Sequence, residues 1–227
     1  MTSRRFGVFC MGLGALLLVS AALLMTNNHR QETYAGQTAE TVLEKMQETL
    51  LRQDRQLILP GETPAPEMAE STDARLSQQV VEDTPRAAAT PVPDMPTMII
   101  DGQEYIGYLE LPTLDLSLPV MSQWSYPRLR IAPCRYWGNA YDDTLAILAH
   151  NYDRHFGRVK NLAIDDPVQF VDAAGNVFHY RVAALETLEK PDVEKMIDSG
   201  YDLTLFTCTL GGRHRVTVRL NRVKTYE

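Results

Sequence analysis

Apolar residues are spaced along this chain in three different ways, and each spacing predicts a different kind of element. From Phe6 to Met25 no charged residue interrupts the apolar run, which is long enough to cross a bilayer as a helix. From Thr38 to Ile58 the apolar positions Val42, Met46, Leu50, Leu57 and Ile58 recur at helical intervals. Glu44, Lys45, Glu48, Arg52 and Asp54 fall between them, as on an amphipathic surface helix or short stalk. A dimerising coiled coil is disfavoured, because the heptad pattern is too short. After Met98 the period shortens towards two. Strands are expected at Tyr105 to Leu111, Leu114 to Val120, Leu145 to Ala149, Pro167 to Asp172, Asn176 to Leu185, Leu203 to Thr207 and Val216 to Val223. A single helix is expected at Asp192 to Ser199, ended by Gly200. Short strands so spaced give a mainly β fold, a barrel or a sandwich.

Between the helical and β-patterned parts the texture changes. Pro60, Pro64, Pro66, Pro85, Pro91, Pro93 and Pro96 punctuate a stretch with almost no large apolar residues. Such a segment buries too little apolar surface to offset the ordering of its backbone, and reads as an extended linker. The expected organisation is a cytoplasmic tail at 1–5, a transmembrane signal anchor at 6–26, an amphipathic juxtamembrane helix or stalk at 27–59, a Pro-rich linker at 60–97 and a catalytic domain at 98–227. Arg4 and Arg5 precede the apolar run, so the positive-inside rule places the N-terminus in the cytoplasm and the rest outside, in a single-pass membrane protein. A cleaved signal peptide ending near Ser20-Ala21-Ala22 is the competing reading. It is disfavoured because the run exceeds a typical signal-peptide core.

Composition narrows the partners. The 227 residues carry a net charge of -7, which argues against a nucleic-acid partner. Of the three cysteines, Cys10 lies in the apolar run, which leaves Cys134 and Cys208. Cys134 reads as a small buried apolar side chain. Cys208 stands out because Thr207, Thr209 and Gly211-Gly212 surround it with strand-end and turn chemistry. No familiar zinc-ligand spacing occurs, so no metal and no cofactor are expected. Asp165, Asp166, Glu189 and Glu194 read as solvated surface charges rather than a calcium site.

The candidate chemistry lies at strand ends. Cys208 ends one strand, His150 follows another, and Arg215 opens the last. A thiol attacks a carbonyl as thiolate, an imidazole can carry the proton, and a guanidinium can stabilise the developing oxyanion. In the last strand Val216, Val218 and Leu220 alternate with Arg215, Thr217 and Arg219, so Arg215 should face an external groove. His155 is a rival base, and Arg213 and Arg219 share the face expected for Arg215. His179 reads as an exposed strand residue, and His214 should point the opposite way to Arg215 along the last strand.

Leu205-Phe206-Thr207-Cys208 matches the Leu-any-Thr-Cys signature of sortases, the cell-surface cysteine transpeptidases of Gram-positive bacteria. Ile106-Gly107-Tyr108-Leu109-Glu110-Leu111-Pro112 and Leu118-Pro119-Val120 are similar to that family's first strands, and Ala149-His150-Asn151 to its catalytic-His segment. The resemblance covers roughly residues 98–227. It implies a closed eight-stranded sortase-type β-barrel with short helices, preceded here by the N-terminal transmembrane helix. It also implies Cys208 as nucleophile, His150 as general acid and base, Arg215 as oxyanion or substrate stabiliser, and Thr207 and Asn151 as substrate-binding residues. The partners implied are surface proteins bearing a C-terminal LPxTG-like sorting signal and a peptidoglycan precursor amine, with a pilin Lys as the lesser alternative. The modest insertion at Glu189 to Gly200 and the Arg213-His214-Arg215 run look closer to class D or class B-like forms. The linker lacks the Asp-Pro-aromatic lid motif of pilin-polymerising members, which favours wall anchoring. A cysteine peptidase using water, and a non-catalytic wall-binding module, are the alternatives.

Overall fold

The computed structural model describes residues 2–58, 93–189, 192–209 and 211–223. Most of the Pro-rich linker therefore lies outside the described residues. Nine strands form one sheet: β1 (Met98–Ile100), β2 (Gln103–Leu111), β3 (Leu116–Met121), β4 (Cys134–Trp137), β5 (Leu145–Ala149), β6 (Pro167–Asp172), β7 (Val177–Glu189), β8 (Leu203–Cys208) and β9 (His214–Arg222). Their order is β1-β2-β3-β4-β5-β8-β9-β7-β6, and β6 also pairs with β2. That last pairing closes the sheet into an eight-stranded barrel, with β1 outside the closure.

Local chemistry sets several of these boundaries. Pro112 starts a 3-10 turn, Pro112–Leu114, that separates β2 from β3, and Asp115 ends it in the left-handed region at φ 50. Thus β3 begins two residues later than the apolar pattern predicts. The hairpin of β6 and β7 turns through Ala173-Ala174-Gly175-Asn176. Buried Asp172 holds it by accepting from the Ala174 and Asn176 backbone N–H groups, at 2.9 Å each. The short β4 has no clear sequence signal. It is placed by antiparallel pairing to β5 and by one parallel bridge, Met121 to Cys134.

Side chains of one parity fill the barrel. Leu109, Ile147, Phe170, Leu205, Val218 and Leu220 belong to this main core. On β5, β8 and β9 the opposite parity faces the outer wall, where Ala146, Phe206 and Met196 form a second apolar layer. A short helix, α2 (Tyr126–Leu129), precedes β4, and Met196 comes from α3 (Val193–Ile197), which lies across the outside of the sheet.

The helix α1 runs from Thr2 to Ile58 without a break. It is the helix that is long and apolar enough to cross a membrane, judged by length and composition among the described residues. Leu16, Leu17, Leu18, Leu23 and Leu24 are all exposed. Further along, Ala35, Ala39, Val42 and Met46 are buried at intervals of four, three and four. Val42 and Met46 pack with Met98, Ile100, Tyr105 and Met121 against the barrel wall. The amphipathic segment expected as a stalk is therefore seated on the β domain.

Candidate active site

Three neighbouring strands, β5, β8 and β9, bring the candidate residues together. β5 and β8 run parallel with Ala149 opposite Thr207, so the residues that follow, His150 and Cys208, leave adjacent strand ends in the same direction. β8 and β9 run antiparallel with Cys208 opposite Arg215. Strands in a sheet lie about 4.8 Å apart, so the three form one row across the wall. Side-chain parity puts all three on the outer face. Ala149, Leu205 and Val218 point into the main core, whereas His150 follows Ala146 and Leu148, Cys208 follows Phe206, and Arg215 precedes Thr217.

Each residue has a distinct environment. Cys208 and His150 are both half-buried. Burial lowers the His150 titration below the ordinary imidazole range, and the Arg130 guanidinium lowers it further. The neutral imidazole, the form that accepts a proton, is thereby favoured near neutral pH. The Arg215 guanidinium is turned towards the β8–β9 turn and donates to the Gly212 and His214 carbonyls at 3.3 and 3.2 Å.

The two expected substrate-binding residues separate. Asn151 is half-buried and lines a cavity of about 360 Å³ with Phe156, Gly157, Lys160, Thr209 and Val216, beside the same strand ends. Thr207 borders that cavity too, but its side chain is 1% exposed and its hydroxyl donates to the Ala149 carbonyl at 2.8 Å. Its parity turns the hydroxyl inward, where it ties the Cys strand to the His strand.

The rivals are also resolved by position. His155 is fully buried and cannot reach a bulk substrate. His179 is exposed on β7, and His214 is exposed on β9 with parity opposite to Arg215. Arg219 does share the outer face with Arg215, but α3 covers it. Its guanidinium donates to Glu186 Oε1 at 2.6 Å, to Thr204 Oγ1 at 3.0 Å and to the Lys195 carbonyl at 2.5 Å. Arg213 is exposed in the turn before β9. Among the described residues, no group of three His, Cys, Asp or Glu side chains could hold a metal ion.

Sequence reading missed the apolar strip beside the thiol. Phe206 packs edge-on to Tyr136 at 5.1 Å between ring centroids, and Tyr136 lies 5.8 Å from Trp124. Trp124, Tyr136 and Trp137 line a second concavity of about 600 Å³ with Arg135 and Asp142. In the structure every residue from Leu203 to Thr207 is buried. Strands covered on both faces have that texture, whereas half-exposed strands alternate.

A row of thiol, imidazole and guanidinium on the outer wall of a closed β-barrel is an arrangement equipped for acyl transfer through cysteine. The Sortase domain family matches residues 109–223, just over half of the chain. The chain belongs to the sortase family, whose members are cysteine transpeptidases. Among solved structures, sortase A from Corynebacterium diphtheriae is similar with a TM-score of 0.48 and 22% identity, over 55% of this chain and 63% of that one. Sortase C from Streptococcus pneumoniae gives a TM-score of 0.47 and 26% identity, over 53% of this chain and 70% of that one. Sortase C1 from Streptococcus agalactiae gives 0.48 and 24%, over 56% and 72%. This chain thus spans less than two thirds of the sortase A chain. No curated protein matches it.

Proposed function

We propose that this chain is a membrane-anchored transpeptidase that cleaves an LPxTG-like sorting signal and transfers the protein bearing it to a cell-wall amine. The observation that carries this reading is the row of His150, Cys208 and Arg215 on adjacent strands, facing outward where a peptide can lie. In the first step His150 takes the Cys208 proton and the sulfur attacks the scissile carbonyl. Arg215, released from its two turn carbonyls, faces the oxyanion. The C–N bond breaks as His150 returns the proton to the departing amine, leaving a thioester on Cys208. An acceptor amine then attacks the thioester carbonyl and gives its proton to His150. The C–S bond breaks and the thiol is restored. The concavity lined by Trp124, Tyr136 and Trp137 supports this reading, because its aromatic wall offers a seat for apolar side chains of the sorting signal, and buried Phe206 packs behind it.

The positive charges at Arg4 and Arg5 support a cytoplasmic N-terminus, with the barrel held outside the cell by the first part of α1. The test uses the full chain in detergent micelles, a sorting-signal peptide and a short amine nucleophile. Wild type should yield both thioacyl enzyme and amine-ligated product by mass spectrometry, and Cys208→Ala should yield neither. Hydrolysis product alone, at every amine concentration, would instead assign a peptidase. Unchanged cleavage by Cys208→Ala would discard the mechanism.

A further inference from the structure

The segment after His150 passes directly under α1, and the contacts are specific. The Asp153 backbone N–H donates to Glu32 Oε1 at 2.7 Å, and Arg154 pairs with Glu40 at 3.1 Å. The Arg154 side chain crosses Gly36 so closely that a Cβ there would sit 2.1 Å from Arg154 Cδ. His155 follows these two anchored residues in the chain, with the Ala35 backbone beside its ring. It and Ala35 are both 0% exposed.

The His155 ring is an unusual thing to bury. Neither Nδ1 nor Nε2 has a hydrogen-bond partner among the described residues. The Ala35 backbone lies near the ring without meeting hydrogen-bond geometry, so burying the two nitrogens costs free energy that the surrounding packing must offset. The ring's neighbour is Tyr152, with ring centroids 5.6 Å apart, and Tyr152 in turn lies 4.9 Å from His150. The backbone reinforces the same path. The His155 and Gly157 N–H groups both donate to the Tyr152 carbonyl, and the Phe156 N–H donates to the His150 carbonyl at 3.2 Å.

We propose that His155 is a positioning residue which, wedged under α1 and acting through Tyr152, fixes where the His150 imidazole sits, so that the seating of α1 on the barrel sets the geometry of the active site. This rests on the reading of His150 as the acid and base of the reaction. The physical logic is that His150 stands one residue beyond the end of β5, where strand pairing no longer holds it. A three-ring stack supplies the missing restraint, and Ala35 is its lid. Misplacing a catalytic group by a fraction of an ångström is enough to slow the chemical step while leaving substrate binding intact. The charged and titratable groups around the three rings are Glu32 and Glu40 from α1, Asp153 and Arg154 from the loop, Cys208 on the strand end beside His150, and Arg130 near His150.

The experiment uses the full chain in lipid nanodiscs, with ring-labelled histidine for NMR and a sorting-signal peptide for kinetics. His155→Ala should lower kcat about tenfold, leave KM within about twofold, and displace the pH titration of the His150 ring. His155→Phe keeps a ring between Ala35 and Tyr152 and should recover kcat to within about threefold of wild type. Glu32→Ala loosens the helix without touching the stack and should shift the His150 titration in the same direction as His155→Ala. An unchanged His150 titration in His155→Ala overturns the proposal, and so does an equal loss in the Phe and Ala variants. If His155→Ala does not fold, an unchanged titration in Glu32→Ala overturns it instead. Full activity in His150→Ala would remove the acid–base reading, while the titration shift would still report the positioning.

Discussion

Cys208, His150 and Arg215 sit at or just past the ends of three adjacent strands, and the roles proposed for them predict different losses. Arg215 lies opposite Cys208, and among the described residues its guanidinium is held by two long bonds to turn carbonyls. Such bonds are worth on the order of 1 kcal/mol each, which an anionic partner readily exceeds. Arg215→Ala should therefore reduce kcat by about 10²–10³. Arg215→Lys should recover little of it, because a point charge on a flexible stem does not reproduce the planar fork. Single-turnover acylation rates check both. Arg130 acts on the same site from a distance. Its positive charge disfavours the imidazolium, so Arg130→Gln should raise the His150 titration and move the acid limb of activity to higher pH. Because Arg130 is exposed, added salt should reproduce part of that shift in wild type. An NMR titration at low and high ionic strength reads both effects. Cys208, His150 and Arg215 could be picked out from strand-end position and a short motif. The inward turn of Thr207 could not, because the motif gives residue type and the strand parity gives direction.

At the scale of elements, α3 is the piece most dependent on one side chain. It has five residues and no side-chain cap at its start, far too short to persist alone. Arg219 ties it down through the Lys195 carbonyl, and Glu186 neutralises that buried guanidinium. The pair is asymmetric, since the Arg219 side chain is 3% exposed and that of Glu186 is 39% exposed. Removing the acid strands a buried charge, whereas removing the base leaves an acid that water can reach. Glu186→Ala should thus cost about 3 kcal/mol, and Arg219→Ala clearly less. Denaturant midpoints compare them. The helix itself was visible in the sequence between Asp192 and Ser199. Its seat was not, because nothing local announces that Arg219 and Glu186 will meet across paired strands β7 and β9.

For the whole molecule, the buried His155 makes stability depend on pH. Burial, aided by the nearby His150, holds its titration down at about 4, below the ordinary 6.5; the Ala35 backbone acts the other way without meeting hydrogen-bond geometry. The unfolded chain gains this proton before the folded one does, so stability is intact above pH 6.5 and falls as the pH drops towards 4. The loss by pH 4 is on the order of 3 kcal/mol from this group. His155→Phe should flatten that part of the melting-temperature profile between pH 6.5 and 4, a change that thermal denaturation of both proteins would register. The sequence by itself determined the apolar N-terminal run, the β texture, most strand positions and the three residue types of the candidate site, because each is written in local spacing or in a short motif. The tertiary structure decided the rest. Closure of β2 on β6, the parallel join of β5 to β8, and the seating of α1 over the His150 loop all unite residues far apart in the chain. Their energies come from burial and pairing between segments, and no single segment carries that information.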